Sequence, residues 1–221
     1  MINPNIDYLS SCQRPVWRGR VHAVAAMIVP VASTYLLTIA SGVLAIFVSI
    51  LYTLSLFTCY CISGFYHVLA RTPSRQEVFQ RLDHASIFLL IAGTYTPFCV
   101  LALPYPECWI ALGIVWITAI IGLVLKLTRR AWRLATGLYL AIGWCMLAFM
   151  PGLYARTGAW IVGLLLFGGA IYTIGAVLFL KHKPVLKSDI FGFHEFWHVM
   201  TVLAGIAHFI AVVLLLQSIG T

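Results

Sequence analysis

The stretch H-E-F-W-H at His194–His198 sets two imidazoles at positions i and i+4. On a helix that spacing projects both from one face, so a single metal ion can be reached by both. Glu195 between them completes the H-E-x-x-H pattern of zinc metalloproteases, in which the acid serves as general base. A metzincin would place Gly three residues and His six residues after His198, but Thr201 and Ala204 stand there. A thermolysin-like site needs a later acidic ligand, and no Asp or Glu follows Glu195. The third ligand must therefore come from an earlier element, and the acid reads better as an interfacial Glu at a helix N-terminus, where the helix dipole favours it.

The elements that must hold these groups are set by composition. The chain has 221 residues, of which 62% are hydrophobic and 9% charged, with a mean hydropathy of +0.99. That is too little polar surface to cover a soluble globule. The expected fold is an all-α integral membrane protein, a bundle of seven transmembrane helices. Apolar runs long enough to cross about 30 Å of hydrocarbon occur at Val21–Ser41, Val43–Leu69, His84–Leu103, Trp109–Leu125, Leu134–Leu153, Trp160–Leu180 and Phe191–Leu216. Residues 1–20 read as a cytoplasmic N-terminal segment and 21–218 as one transmembrane domain. A cleaved leader is not expected, because the first run is longer than a usual signal core and more spans follow.

Charge gives the orientation. Of the 14 Lys and Arg residues, all but Arg156 fall at or beside alternate span ends on the N-terminal side: Arg14, Arg18 and Arg20, then Arg71, Arg75 and Arg81, then Lys126, Arg129, Arg130 and Arg133, then Lys181, Lys183 and Lys187. The positive-inside rule makes that face cytoplasmic, with the N-terminus inside and the C-terminus outside. The formal charge of +8 is then a topology signal with some attraction to anionic headgroups. No soluble basic surface suggests a nucleic-acid partner. The six cysteines read as small packing residues, with a Cys99–Cys108 disulfide as a minor alternative.

An ionisable side chain within a span costs about 2.5–3.5 kcal/mol on insertion scales and is a functional suspect by default. His67 near the end of the second span, Asp83 at the opening of the third, and His194 and His198 at the opening of the seventh all lie at the cytoplasmic level. Three neutral imidazoles with water in a fourth position make a plausible zinc site, one ion per chain. Asp83 could bind, orient or deprotonate that water, and Ser63, one helical turn before His67, could hydrogen-bond the carboxylate or a substrate oxygen. The ordinary alternative is a set of unrelated interfacial groups. His22 could stand behind the ligands. His208, about 15 Å deeper than His198 on the same helix, suits an interhelical hydrogen bond, while His84 and His182 read as solvated or interfacial.

The chain resembles the bacterial haemolysin III membrane proteins, relatives of the progestin and adipoQ receptors. The resemblance rests on S-G-F-Y-H at Ser63–His67, R-L-D-H-A-S-I-F-L-L-I-A-G-T-Y-T-P-F at Arg81–Phe98, Y-L-A-I-G-W at Tyr139–Trp144, G-G-A-I-Y-T-I-G at Gly168–Gly175, H-E-F-W-H, and A-G-I-A-H at Ala204–His208. It implies zinc on His67, His194 and His198 with Asp83 acting through water, seven helices with the N-terminus inside, and a bacterial inner-membrane location. Through the distant alkaline ceramidases it also suggests hydrolysis of a lipid amide or ester, with membrane lipids or a fatty-acid-like ligand as partners. The sequence departs from many bacterial members at Arg18–His22, R-G-R-V-H, where they carry an acidic residue and an Asn. Three readings follow: a zinc-dependent lipid hydrolase with Asp83 and Ser63 as catalytic groups, a metal-stabilised sensor without catalysis, and a pore. The third is the weakest, because the middles of the spans are almost wholly apolar.

Overall fold

The computed structural model describes residues 15–130, 132–184, 186–187 and 189–219. Most of the expected N-terminal segment, including Arg14, lies outside the described residues. Among these residues the chain is helical, and its only extended pairing is an isolated bridge between Lys187 and Phe191. The helices are α1 (Arg20–Ile39), α2 (Val43–Leu69), α3 (Pro73–Ala102), α4 (Glu107–Leu127), α5 (Trp132–Trp144), α6 (Met150–Leu180) and α7 (Phe193–Ile219), with a 3₁₀ segment at Cys145–Phe149 between α5 and α6. Among the described residues, six stretches are long and apolar enough to cross a membrane, the fifth being the run Gly137–Leu180. The protein is thus a multi-pass helical membrane protein, with apolar side chains such as Met27, Val31, Ile117 and Trp160 turned outward, as a lipid solvent requires.

That fifth stretch holds 44 residues, about 66 Å at the helical rise, or twice the hydrocarbon thickness. It is not one straight rod. Its ladder loosens into the 3₁₀ turn after Trp144, where Tyr95 of α3 supplies the missing partner. The Tyr95 hydroxyl accepts from the Met146 N–H at 3.1 Å and lies 2.9 and 2.8 Å from the carbonyls of Ile142 and Gly143. A second interruption falls at Gly158, whose φ of 76° and ψ of −177° leave the helical region. A side chain would be strained there, so glycine is the residue that allows the break.

α3 is longer than the apolar run that announces it. Thr72 caps it, its hydroxyl accepting from the Arg75 N–H, and Pro73 occupies the first turn, the position where a missing N–H costs least. The turns from Pro73 to Leu82 carry Arg75, Glu77 and Arg81, and Glu77 is bound by Arg81 and by Arg129 at 3.1 Å. Asp83 therefore does not open the helix; it lies where this polar extension meets the apolar length. α3 is also the most buried spanning helix, packed against α2, α4, α5, α6 and α7. α7 packs along α6 and also meets α1, which closes the bundle. Cys99 and Cys108 are both free thiols, so the alternative of a disulfide between them does not hold.

Candidate metal centre

His67 sits in the last turn of α2, and His194 and His198 sit in the first two turns of α7. One potential ligand atom from each lies within 4.8 Å of the others. The Nε2 atoms of His67 and His194 are 3.2 Å apart. Two nitrogens on one tetrahedral zinc, each about 2.0–2.1 Å from it, would be separated by about 3.3 Å. His67 and His198 are buried and His194 is half-buried. Nε2 of His198 is a buried polar atom with no hydrogen-bond partner, which is unfavourable unless something positive meets it. Close nitrogens, an orphan and an all-imidazole donor set fit a divalent transition metal such as zinc.

Ser63 is buried one turn before His67. It interacts with the Asp83 carboxyl of α3, although its Oγ makes no hydrogen bond of good geometry. Asp83 is half-buried and stands outside the three-histidine group. The structure thus brings the three histidines together as one cluster and pairs Ser63 with Asp83 beside it.

Glu195 departs from the interfacial role expected of it. Its exposure is 0%, and it holds two contacts. One carboxylate oxygen accepts from the backbone N–H of Gly192 at 2.8 Å, the returning half of a capping box. The other accepts from Arg18 Nε. Next to this ion pair, the N–H groups of Val16 and Trp17 donate to the carbonyls of Asp189 and Ile190 at 3.1 and 3.2 Å. The chain entering α1 is therefore bound along the approach to α7. Gly19 then turns into α1 with φ +77°, and a Cβ there would collide with Cβ of His67.

His22 is more deeply involved than its lone position in the sequence suggests. It is buried in α1, with Nε2 2.8 Å from the Thr201 hydroxyl and Nδ1 2.9 Å from Nδ1 of His198. Its ring also lies 4.9 Å from that of Tyr60. The sequence signal was its place near the cytoplasmic end of the first span, but nothing in it named Thr201 as a partner. His208 lies elsewhere, with Nε2 3.4 Å from the Leu165 carbonyl of α6. His84 is held by the Gln80 carbonyl at 2.7 Å, and His182 packs on Phe193 with ring centroids 4.8 Å apart.

A bundle of spanning helices with three facing histidines inside one end defines a multi-pass membrane protein with a site able to hold a metal ion. Comparison with known proteins gives the family. The "Haemolysin-III related" family matches residues 10–209, and the chain belongs to it. It is 35% identical to hemolysin-3 of Bacillus cereus over 191 residues, covering 86% of this chain and 82% of that protein. It is 31% identical to the hemolysin-3 homolog of Bacillus subtilis (strain 168) over 150 residues, 67% of each. A more distant match, 26% over 170 residues, links it to the adiponectin receptor protein of Drosophila melanogaster, covering 68% of this chain and 38% of the receptor. That match supports the relation to the progestin and adipoQ receptors.

Proposed function

We propose that the protein is a zinc-binding, seven-span inner-membrane hydrolase acting on a lipid amide or ester. The observation that carries this reading is the convergence of three imidazoles from α2 and α7 on one point, with Ser63 one turn before His67 and interacting with the Asp83 carboxyl. His67, His194 and His198 would hold one ion per chain. Zinc, when bound, polarises a carbonyl and lowers the pKa of a coordinated water.

The chain's own groups do the rest. Asp83 takes a proton from the attacking water and returns it to the leaving nitrogen or oxygen as the acyl bond breaks. Ser63 Oγ orients the Asp83 carboxylate or donates to the substrate oxygen. Water adds to the acyl carbon, and a fatty acid and an amine or alcohol leave. Membrane lipid would enter sideways at the inner leaflet, since the triad lies at the helix ends that the basic residues mark as cytoplasmic.

Seven spans follow if the run Gly137–Leu180 is divided at Gly158, giving one crossing before it and one after. Arg156 then sits in an outward turn, the N-terminus is inside and the C-terminus outside, and residues 21–218 form the transmembrane domain. The test is zinc content by mass spectrometry on detergent-purified protein, followed by a panel of ceramides, acylamides and lysolipids assayed beside a related active hydrolase in the same detergent. About one zinc per chain with release of fatty acid supports the reading. Full zinc loading with no turnover on the whole panel overturns the hydrolase.

One observation favours a second reading. The same three histidines tie α2 to α7, so a bound metal would pin the bundle closed, and structural metal binding can contribute about 10 kcal/mol to folding. A sensor of this kind would lose stability with His67→Ala and keep its cellular phenotype with Asp83→Ala.

A further inference from the structure

α1 and α2 approach closely where Gly64 lies against the backbone of Ala23; a Cβ at Gly64 would stand 3.3 Å from Cα of Ala23. Ala26 and Cys61 beside that contact are also small, and a groove of about 400 Å³ opens between the helices. Met27 and Pro30 of α1 and Phe57 and Phe65 of α2 wall it, and all four are exposed. None of the side chains lining it carries a charge or a hydroxyl. What fills it must therefore be apolar along this length.

The groove runs from Val68, in the last turn of α2, to Phe57, about 16 Å at the helical rise. One leaflet supplies about 15 Å of hydrocarbon. Beyond Pro30 and Phe57 a smaller hollow of about 220 Å³ follows, and there the hydroxyls of Ser33 and Thr53, 3.0 Å apart, tie the two helices together. The dimensions fit one acyl chain of a lipid whose headgroup lies at the start of α1 and the end of α2.

Positive charge gathers at that same end. Arg20 precedes Ala23 by one helical turn and Met27 by two, which sets it on the groove face of α1. Arg71 follows α2, and its Nε–H donates to the carbonyl of Val68 at 3.1 Å, which holds the guanidinium beside a residue that lines the groove. Both arginines are exposed. Among the described residues Arg18 is bound by Glu195, and Arg81 and Arg129 by Glu77, whereas Arg20 and Arg71 belong to no ion pair. The positive-inside rule accounts for basic residues at this face, but not for an apolar slot one leaflet deep that ends between two of them. We propose that the α1–α2 groove binds one anionic phospholipid from the leaflet at the basic end of the bundle, with an acyl chain in the slot and the phosphate between Arg20 and Arg71. None of His67, His194 and His198 lines the groove, so this site is separate from the candidate metal centre and stands whether or not lipid is hydrolysed there.

The test titrates full-length protein, delipidated in detergent, with phosphatidylglycerol and with phosphatidylcholine of the same acyl chains, and counts bound lipid by native mass spectrometry. The parent should take its first phosphatidylglycerol about 30-fold more tightly than phosphatidylcholine, at about 5-fold for each arginine near the headgroup. Arg20→Gln and Arg71→Gln should each lose about 5-fold for phosphatidylglycerol and leave phosphatidylcholine unchanged. Lys181→Gln with Lys183→Gln removes two charges at the end of α6, which packs along α7, and should keep the preference. Cys61→Phe fills the slot and should weaken both lipids. Melting of each variant establishes that it folds, and the exposed arginines decide the matter if Cys61→Phe does not. The proposal is overturned if the parent binds the two lipids equally, if the lysine pair loses as much preference as the arginine variants, if folded Cys61→Phe binds both lipids like the parent, or if the parent is a dimer that Cys61→Phe dissociates, which would make a second copy of the chain the occupant.

Discussion

Arg18 and Glu195, 177 residues apart, form an ion pair in which the carboxylate has no exposure and the guanidinium side chain 17%. The pair joins the residues just before α1 to the first turn of α7, where Glu195 stands between His194 and His198. Its removal therefore reaches both the closure of the bundle and the register of two histidines.

Replacing Arg18 with Met leaves the Glu195 carboxylate buried without its cation. A loss of about 3–5 kcal/mol is expected from breaking one side of such a pair. Removing both charges, as in Arg18→Met with Glu195→Gln, should recover part of that loss, because the Gln can still accept from the Gly192 N–H. Thermal unfolding of the parent and the two variants in one detergent checks this, and a double variant no more stable than Arg18→Met counts against it.

Loss of any of His67, His194 or His198 to Ala should abolish stoichiometric zinc, since two remaining imidazoles make a weak site. Asp83→Ala should keep most of the metal, as its carboxyl stands outside the three-histidine group. Metal analysis of the purified variants separates the two groups directly.

If the protein is a hydrolase, Asp83→Asn should lower turnover by about 10²–10⁴-fold, the usual contribution of a positioned general base, while zinc stays bound. Ser63→Ala should have a smaller effect in the same direction. Equal loss of zinc and turnover in Asp83→Asn would instead make the carboxyl a support for the metal.

Gly19→Ala places a methyl against His67 in a backbone conformation, φ +77°, that costs an L-residue roughly 1–2 kcal/mol. Lower stability is expected together with weaker zinc binding, because the colliding atom belongs to a ligand. A Gly42→Ala control, at φ +87° with open space around it, should show the stability change alone.

Arg156→Cys should react with a membrane-impermeant maleimide added from outside intact cells if the chain reverses at Gly158. Labelling only after the cells are opened would mean that the run Gly137–Leu180 does not emerge there.

Much of the architecture was legible because the bilayer imposes it. Apolar runs of fixed length marked the crossings, and ionisable residues within them stood out, which is how His67, His194 and His198 could be grouped without a structure. Hydropathy is blind to helix outside the apolar zone. The turns from Pro73 to Leu82 were missed for that reason, although Thr72-Pro73 is a helix-start signal, and Asp83 was set at a helix end it does not occupy. Pairings across the bundle carry no local mark. Arg18 with Glu195, and His22 with Thr201 and His198, join α1 and the residues just before it to α7, and no spacing rule links residues so far apart. The sequence showed His22 at the right depth and Glu195 at the right turn, but burial and partners depended on how α1 closes against α7.

The separation of His67 and His194 by 127 positions bears on how the protein is made. His67 is made well before α7, which brings the other two histidines. The pocket thus comes into being only once α7 is in place. A chain that stops before α7, or whose α7 fails to insert, would present one of the three imidazoles, so, with a metal on the triad, its retention would distinguish molecules that have inserted α7 from those that have not.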